Sequence, residues 1–299
     1  MKTILILFSI FMLATSCGSG ETPTPPTPPA SKYQKYAKEN EIKIMSFNVR
    51  TKTSNDEGIN HWDQRKKACI ALIKDHKPTI IGFQEAQYGS QWAYLKEQLR
   101  ADYDGYGVGR TDGKESGETM GILYDRNLVE MIDCGTFWLS KTPEKPSKDW
   151  GAGLNRTATW GLFEHIPTGK EFFYINTHLD HQAELAQIEG MKLIASKFQE
   201  YKGDVDALFL TGDLNVEASQ EAIDAIKGFM RNARTYASRT DSYGTTNSFS
   251  DPNKKGKIDH IYYSKELKHP VEYCTIRDAY EGVTFVSDHY PIYSIIKLK

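Results

Sequence analysis

Cysteine is scarce in this sequence. Four residues, Cys17, Cys69, Cys134 and Cys274, are spread over 299 positions. No two stand at the spacing of a metal-ligand pair. With Cys17 set aside, the remaining three cannot all pair, so a disulfide framework is excluded and one disulfide is the most that can form. Buried free thiols are the expectation for Cys69, Cys134 and Cys274. An excess of charge of one sign is also missing: Lys and Arg total 37 against 39 Asp and Glu, a formal net charge of −2. Proteins that live on long polyanions usually carry a strong basic excess, which counts against a dedicated DNA binder. Beyond the first residues no apolar stretch approaches the length of a membrane span, and no internal repeat of fixed period is present.

The first residues are a separate matter. M-K-T-I-L-I-L-F-S-I-F-M-L-A-T-S-C places one Lys before an apolar run that ends in small residues. The run is too short for a permanent transmembrane helix and has the build of a secretory signal. Cys17 directly after A-T-S resembles the lipid-modified cysteine of bacterial lipoproteins, with Ala14 where Leu is usual; a plain signal peptide cut nearby is the alternative. Residues 18–31 are rich in Pro and Thr, a composition that stays extended, packs no core and suits a tether. The expected organisation is therefore a signal peptide over 1–16, a lipid-anchored tether over 17–31 and one globular domain over 32–299. That resemblance implies export and anchoring to the bacterial cell envelope through the lipid alone, with no obligate protein partner evident.

Within the domain, E-I-K-I-M-S-F-N-V (41–49) alternates like a strand. Residues 61–76 carry apolar side chains at helical spacing and stop at Lys77-Pro78. T-I-I-G-F-Q (79–84) and D-A-L-F-L-T (206–211) read as short strands buried on both faces. Helices are expected near 89–99, 183–200 and 218–227. Further strands are expected near 104–108, 119–125, 129–139, 156–165, 171–177, 257–263, 270–276 and 291–298. A hairpin turn is expected at Pro167-Thr168-Gly169, and a long loop over 140–155. Hairpins mixed with crossovers imply packed sheets flanked by helices. Asn48, Glu85, His178, Asp213, Asn215, Asp259 and the pair Asp288-His289 all fall where such strands end, which is where α/β folds assemble ligand sites. Each is ordinary alone; so many together point to one site.

The residue types suit chemistry on phosphorus. Glu85, after a buried strand, is either a loop charge or a hard oxygen ligand for Mg²⁺. Asn48 either satisfies a turn or anchors that carboxylate. In T-G-D-L-N-V (211–216) an acid and an amide two apart share a direction on extended backbone. The acid can position or deprotonate water, and the amide can donate to a phosphoryl oxygen without adding negative charge. Asp259 sits in an apolar strand, where a charge is costly unless paired or near a cation. His289 needs an orienting acceptor on its second ring nitrogen. Asp288 is too near along the backbone for that, so the acceptor should come from another strand, Asp213 being one candidate.

The ordered set S-F-N-V, G-F-Q-E, N-T-H-L-D, G-D-L-N, K-I-D-H-I and S-D-H-Y-P resembles the endonuclease/exonuclease/phosphatase superfamily over residues 41–298. The resemblance implies a four-layer α/β/β/α sandwich, two mixed β-sheets face to face with helices outside. It also implies Mg²⁺-dependent phosphoester hydrolysis, with Mn²⁺ as a substitute, by in-line attack of water and without a covalent enzyme intermediate. Carried over residue by residue, Glu85 binds the metal with Asn48 beside it, and Asp288 lies on the metal side or orients. Asp213 orients the attacking water, Asn215 holds a phosphoryl oxygen, and His289 is the catalytic histidine. Asp259 and His178 complete the phosphate pocket.

His178 stands where apurinic endonucleases typically have Tyr, and K-I-D-H-I lacks the longer signature of inositol 5-phosphatases. The segment 140–160 resembles a bacterial branch near the deadenylase/nocturnin group, which implies a phosphate contact for Arg156; a surface ion pair is the alternative. The basic cluster K-K-G-K (254–257) is either a second phosphate contact or a solvated hairpin tip. Trp138 and Trp160 read as core, and Trp150 as the better candidate for a substrate wall. The substrate class stays open among nucleic acid, nucleotide, sugar phosphate and lipid head group. The competing reading is a catalytically silent surface lipoprotein that binds a phosphorylated ligand or partner.

Overall fold

The structure is a computed structural model that describes residue 34 and residues 36–298. The expectations for residues 1–31, including lipidation of Cys17, lie outside the described residues. Two six-stranded mixed sheets form the body. The first is built from β1 (Glu41–Asn48), β2 (Ile80–Gln84), β4 (Tyr103–Tyr106), β6 (Ile122–Asp125), β13 (Glu272–Thr275) and β14 (Ile292–Lys297). Its order is β13-β14-β1-β2-β6-β4. The second runs β11-β12-β10-β9-β8-β7. Its strands are β7 (Val129–Trp138), β8 (Thr157–His165), β9 (Lys170–His178), β10 (Ala207–Asp213), β11 (Met230–Asn232) and β12 (Asp259–Ser264). A small ladder pairs β3 (Ala86–Gln87) with β5 (Glu118–Thr119). The helices are α1 (Trp62–His76), α2 (Ala93–Leu99), α3 (Glu184–Tyr201), α4 (Asp224–Lys227) and α5 (Ala233–Tyr236).

Strand alternation explains the layering. In β1, Ile42 and Ile44 join the cluster between the sheets, while Met45 and Phe47 face the other way, into the cluster beneath α1 and α2. In β9 and β10, Phe172, Tyr174 and Phe209 point inward, and Phe173, Ile175, Leu208 and Leu210 pack under α3. With period-two side chains and both faces covered, each central strand reads as an unbroken apolar run. The result is the expected sandwich of two sheets with helices outside. Helix α1 ends where the sequence says it must: Lys77 takes a left-handed backbone, φ 44°, and Pro78 follows.

Three details differ from the sequence reading. The second helix opens as a π-turn over Tyr88–Trp92 before α2. The helix expected over 218–227 shrinks to a 3₁₀ turn, Glu221–Ile223, plus α4, because residues 217–220 close on themselves: Glu217 N–H donates to the Gln220 side chain and Gln220 N–H to the Glu217 carbonyl. Strand β11 and helix α5 had no periodic signal at three and four residues.

Toward one end the inter-sheet seam turns polar. Gln84 Nε2 donates to Asn176 Oδ1 (2.7 Å), and Asn176 Nδ2 donates across the seam to the Phe83 carbonyl (2.8 Å). Thr211 Oγ1 donates to the same Asn176 oxygen at 3.1 Å and bonds Tyr174. Gly82 makes this possible: a Cβ there would lie 2.3–2.5 Å from Thr211, Asn176 and Tyr174. This seam is the floor on which the polar strand ends rest.

Candidate active site

Strand direction brings the polar residues together. β1 and β2 are parallel, so Asn48 and Gln84 finish side by side, with Glu85 next. β9 and β10 are parallel in the other sheet and finish opposite each other at His178 and Asp213. β12 runs antiparallel to β10, which sets its first residue, Asp259, across from Asp213. β14 runs antiparallel to β1, so the chain enters it from the same end, carrying Asp288 and His289. Arg50, Glu85 and Asn215 hold left-handed backbones, φ 55°, 63° and 52°. Non-glycine residues take this conformation uncommonly, and it concentrates at functional sites.

The side chains interlock. His289 Nδ1 lies 2.8 Å from Asp259 Oδ2, and its Nε2 lies 3.8 Å from Asp213 Oδ2. The acceptor that orients His289 does come from another strand, but it is Asp259 and not Asp213. His178 Nε2 is 3.4 Å from Asp213 Oδ2. The amide of Asn48 donates to both Glu85 Oε1 (2.9 Å) and Asp213 Oδ2 (3.0 Å), tying the two sheets together. Thr51 N–H donates to Glu85 Oε2 at 2.8 Å, and Arg50 N–H to Asn48 Oδ1 at 2.9 Å. Asn215 N–H donates to Asp213 Oδ1, and Asn215 Nδ2 to the Leu179 carbonyl. Ligand atoms of Glu85, His178 and Asp213 lie within 4.8 Å of one another, and so do those of Asp213, Asp259 and His289. Asp288 stands apart from both groups, its Oδ2 3.6 Å from Arg50 NH1 and its Oδ1 accepting from Ser287.

Burial sharpens the charges. It works against ionised Glu85, yet donation from Thr51 and Asn48 holds that carboxylate below its usual range. Asp213 also accepts two hydrogen bonds, but burial, then the negative charge of Asp259, push its carboxyl up to about 7. Burial likewise opposes a charged His289, but Asp259 and Asp213 outweigh it and lift the imidazole well above its usual value. His178 goes the other way: burial first, then Arg156 and Arg110, push it well down, so it is neutral.

One wall of the cleft, about 280 Å³ in volume, is cationic. Arg156 is 4% exposed, not a surface residue. Its NH2 lies 3.0 Å from His181 Nδ1 and its Nε 3.7 Å from Asp180, while Nε and NH1 make no hydrogen bond among the described residues. Arg110 stands beside it, paired with Glu118 at 2.7 Å. The cleft is also lined by Arg50, Leu154 and His181.

Every site residue expected in the domain is found at this end: Glu85, Arg156, His178, Asp213, Asn215, Asp288 and His289 line the cleft, with Asn48 and Asp259 bonded directly behind. The sequence reading did not single out Arg50, Arg110, Glu118, Asp180 or His181. Asp180 and His181 were visible in N-T-H-L-D-H, but Arg110 and Glu118 lie in a loop and a two-residue strand that carry no local signal. His260 turns away, bonding the Val216 carbonyl and Asn232. Neither Trp150 nor the 254–257 cluster lines the cleft; Leu154 does. Trp138 is buried and bonded to the Arg110 carbonyl.

Comparison with known proteins agrees with this geometry. The family model described as "Endonuclease/Exonuclease/phosphatase family" matches residues 45–289. A crystal structure of an endonuclease/exonuclease/phosphatase from Bacteroides vulgatus is 33% identical, covering 87% of this chain and 99% of that one, with a TM-score of 0.80. A mannosyl-6-phosphatase from Bacteroides thetaiotaomicron VPI-5482 is 32% identical, covering 85% and 99%, with a TM-score of 0.76. The human Nocturnin catalytic domain shares the fold at 17% identity, covering 87% and 94%, with a TM-score of 0.68.

Proposed function

The chain belongs to the endonuclease/exonuclease/phosphatase family, and on that premise we propose that it is a divalent-metal-dependent hydrolase of small phosphomonoesters. The observation that carries the hydrolase reading is the gathering of Glu85, His178 and Asp213 next to Asp213, Asp259 and His289 at one cleft. The fit to a hard dication rests on the same place: the buried carboxylates of Asp213 and Asp259 crowd beside the half-buried Glu85, and burial with the negative charge of Asp259 pushes Asp213 up to about 7. Glu85 would hold the cation, oriented by Asn48, with Asp288 on the Arg50 side. Mg²⁺ is the proposed metal, with Mn²⁺ able to replace it. When bound, the cation supplies charge that polarises the phosphoryl group and offsets the negative charge on the departing oxygen.

The chain's own groups do the rest. Asp213 is placed to orient the attacking water and take its proton. Asp259 fixes the His289 ring and keeps it cationic, so its Nε2 offers a charged donor to the phosphoryl oxygens. The Asn215 amide keeps one hydrogen beyond the one given to the Leu179 carbonyl and can donate it to the phosphoryl group. His178, held neutral, contributes a hydrogen bond and no charge. A terminal phosphate carries a second negative charge that a diester lacks, and the paired guanidinium groups of Arg110 and Arg156 favour it. The small cleft and the likeness to a mannosyl-6-phosphatase support a sugar-sized leaving group. Residues 1–31 suggest an exported, lipid-anchored enzyme, a proposal from sequence alone.

The test is turnover by purified protein with Mg²⁺ or EDTA. The substrates are p-nitrophenyl phosphate, hexose 6-phosphates, bis(p-nitrophenyl) phosphate and single-stranded DNA. Monoesters should be favoured in kcat/KM by about tenfold or more. A preference of that size for either diester overturns the monoester assignment. No turnover of any of them with Mg²⁺ or Mn²⁺ overturns the hydrolase, and leaves the ligand-binding surface protein.

A further inference from the structure

Among the described residues Arg65 is the largest of the fully buried side chains, lying in the first turn of α1 with 0% exposure. No carboxylate lies within ion-pair distance of it among the described residues. Its donors go instead to four backbone carbonyls. Nε donates to Asn60 (2.8 Å), NH2 to Arg50 (2.7 Å), and NH1 to Val286 (3.2 Å) and to Val49. The rings of Trp62 and Phe249 stand 5.2 and 5.5 Å from its central carbon.

The choice of carbonyls is informative. Val49 and Arg50 directly follow Asn48, and Val286 precedes Asp288 by two residues and His289 by three. Between β1 and β14 the backbone ladder ends at the pair Ser46 and Ile292, so past that point no sheet bond among the described residues ties the two segments. Arg65 fills the gap. The loop it grips on one side carries the N–H groups that hold the site: Arg50 N–H donates to Asn48 Oδ1, and Thr51 N–H to Glu85 Oε2. On the other side it grips the approach to Asp288 and His289. A buried guanidinium without a counter-ion is costly, and core packing alone would be served by an apolar side chain. A planar fork with five donors can reach carbonyls from separate segments at once; an ammonium with three donors cannot match that geometry.

We infer that Arg65 is a positioning residue, a brace that sets the distance between the Asn48/Glu85 side of the site and the Asp288/His289 side. It touches neither substrate nor metal. The kinetic arm of its test rests on the phosphoesterase reading; the binding arm does not.

The experiment compares the full-length wild type with Arg65→Lys, Arg65→Gln and Leu72→Ala. Leu72 is a buried residue of the same helix that makes no hydrogen bond to either loop. Each protein is assayed for thermal unfolding, Mn²⁺ affinity by calorimetry, and kcat and KM on p-nitrophenyl phosphate. A brace predicts that Arg65→Lys loses about tenfold or more in kcat per folded molecule, with KM within about threefold, and binds Mn²⁺ about fivefold or more weakly. Leu72→Ala should lose thermal stability while both quantities stay at wild-type values. Where Arg65→Lys does not fold, Arg65→Gln, which removes the buried charge, is read by the same criteria. Equal kcat per folded molecule and equal Mn²⁺ affinity in a folded Arg65 variant overturn the inference. So does failure of both variants to fold, which would make Arg65 a support of the whole domain. A wild type that binds Mn²⁺ but turns over no phosphoester refutes the phosphatase reading alone, and the Mn²⁺ comparison still decides the brace.

Discussion

Replacing Asp259 by Asn separates what the His289 partner does for the fold from what it does for the chemistry. The carboxylate is 3% exposed and lies 2.8 Å from His289 Nδ1, and its backbone N–H is held by Thr245 Oγ1, so an amide of the same shape can occupy its place. Two effects on stability oppose. Losing a charge-assisted hydrogen bond costs about 1.5–3 kcal/mol. Against this, Asp213 is pushed up to about 7 partly by the charge of Asp259, and removing that charge returns on the order of 1 kcal/mol. The net change should be about 2 kcal/mol or less, a shift in unfolding midpoint within about 8 °C for a domain of this size. Catalysis has no such offset. Without the carboxylate His289 loses both the orientation of its ring and the support for its positive charge, effects worth about 10²–10⁴ in rate. Asp259→Asn is therefore expected to lower kcat on p-nitrophenyl phosphate by about a hundredfold or more. KM should move little, and the thermal midpoint by no more than about 8 °C. A variant retaining wild-type kcat within about threefold, or one whose loss equals its unfolded fraction, would refute the assignment of Asp259.

Other outcomes follow from the same geometry. Asn176→Ala deletes four seam hydrogen bonds, to Gln84, Thr211, Phe83 and Gly121, and at about 1 kcal/mol each should cost about 4 kcal/mol in urea unfolding; a cost below about 1 kcal/mol would show that the seam is not held by this residue. Gly82→Ala puts a methyl within 2.3–2.5 Å of three polar atoms and should destabilise by about 1–3 kcal/mol in the same assay. Mg²⁺ at about 100 times its dissociation constant should raise the unfolding free energy by about 2.7 kcal/mol, reversed by EDTA, and no thermal shift would argue against a cation among Glu85, His178 and Asp213. Burial pushes the thiols of Cys69 and Cys274 up to about 11 and about 12, so under native conditions iodoacetamide should modify the half-exposed Cys134 ahead of both, read by peptide mass mapping.

Much of this was legible in the sequence because it is local. Apolar alternation marks the central strands, Lys77-Pro78 marks the end of α1, and strand-end acids, amides and imidazoles in a fixed order mark the site. Short elements such as β11 and α5 escaped because three or four residues cannot display a period. Arg110 and Glu118 escaped because their value lies in meeting Arg156 across a cleft.

The sequence by itself determined which chemistry the chain can attempt, since the types of donor and acceptor are written into it. Tertiary structure decided which of them act together. Asp259 and not Asp213 became the partner of His289 because antiparallel pairing of β12 with β10 sets its first residue under that ring. Arg65, an unremarked residue of an amphipathic helix, came to span two loops more than two hundred positions apart. Such pairings depend on strand direction and on the packing of one sheet over another, and no spacing along the chain records them.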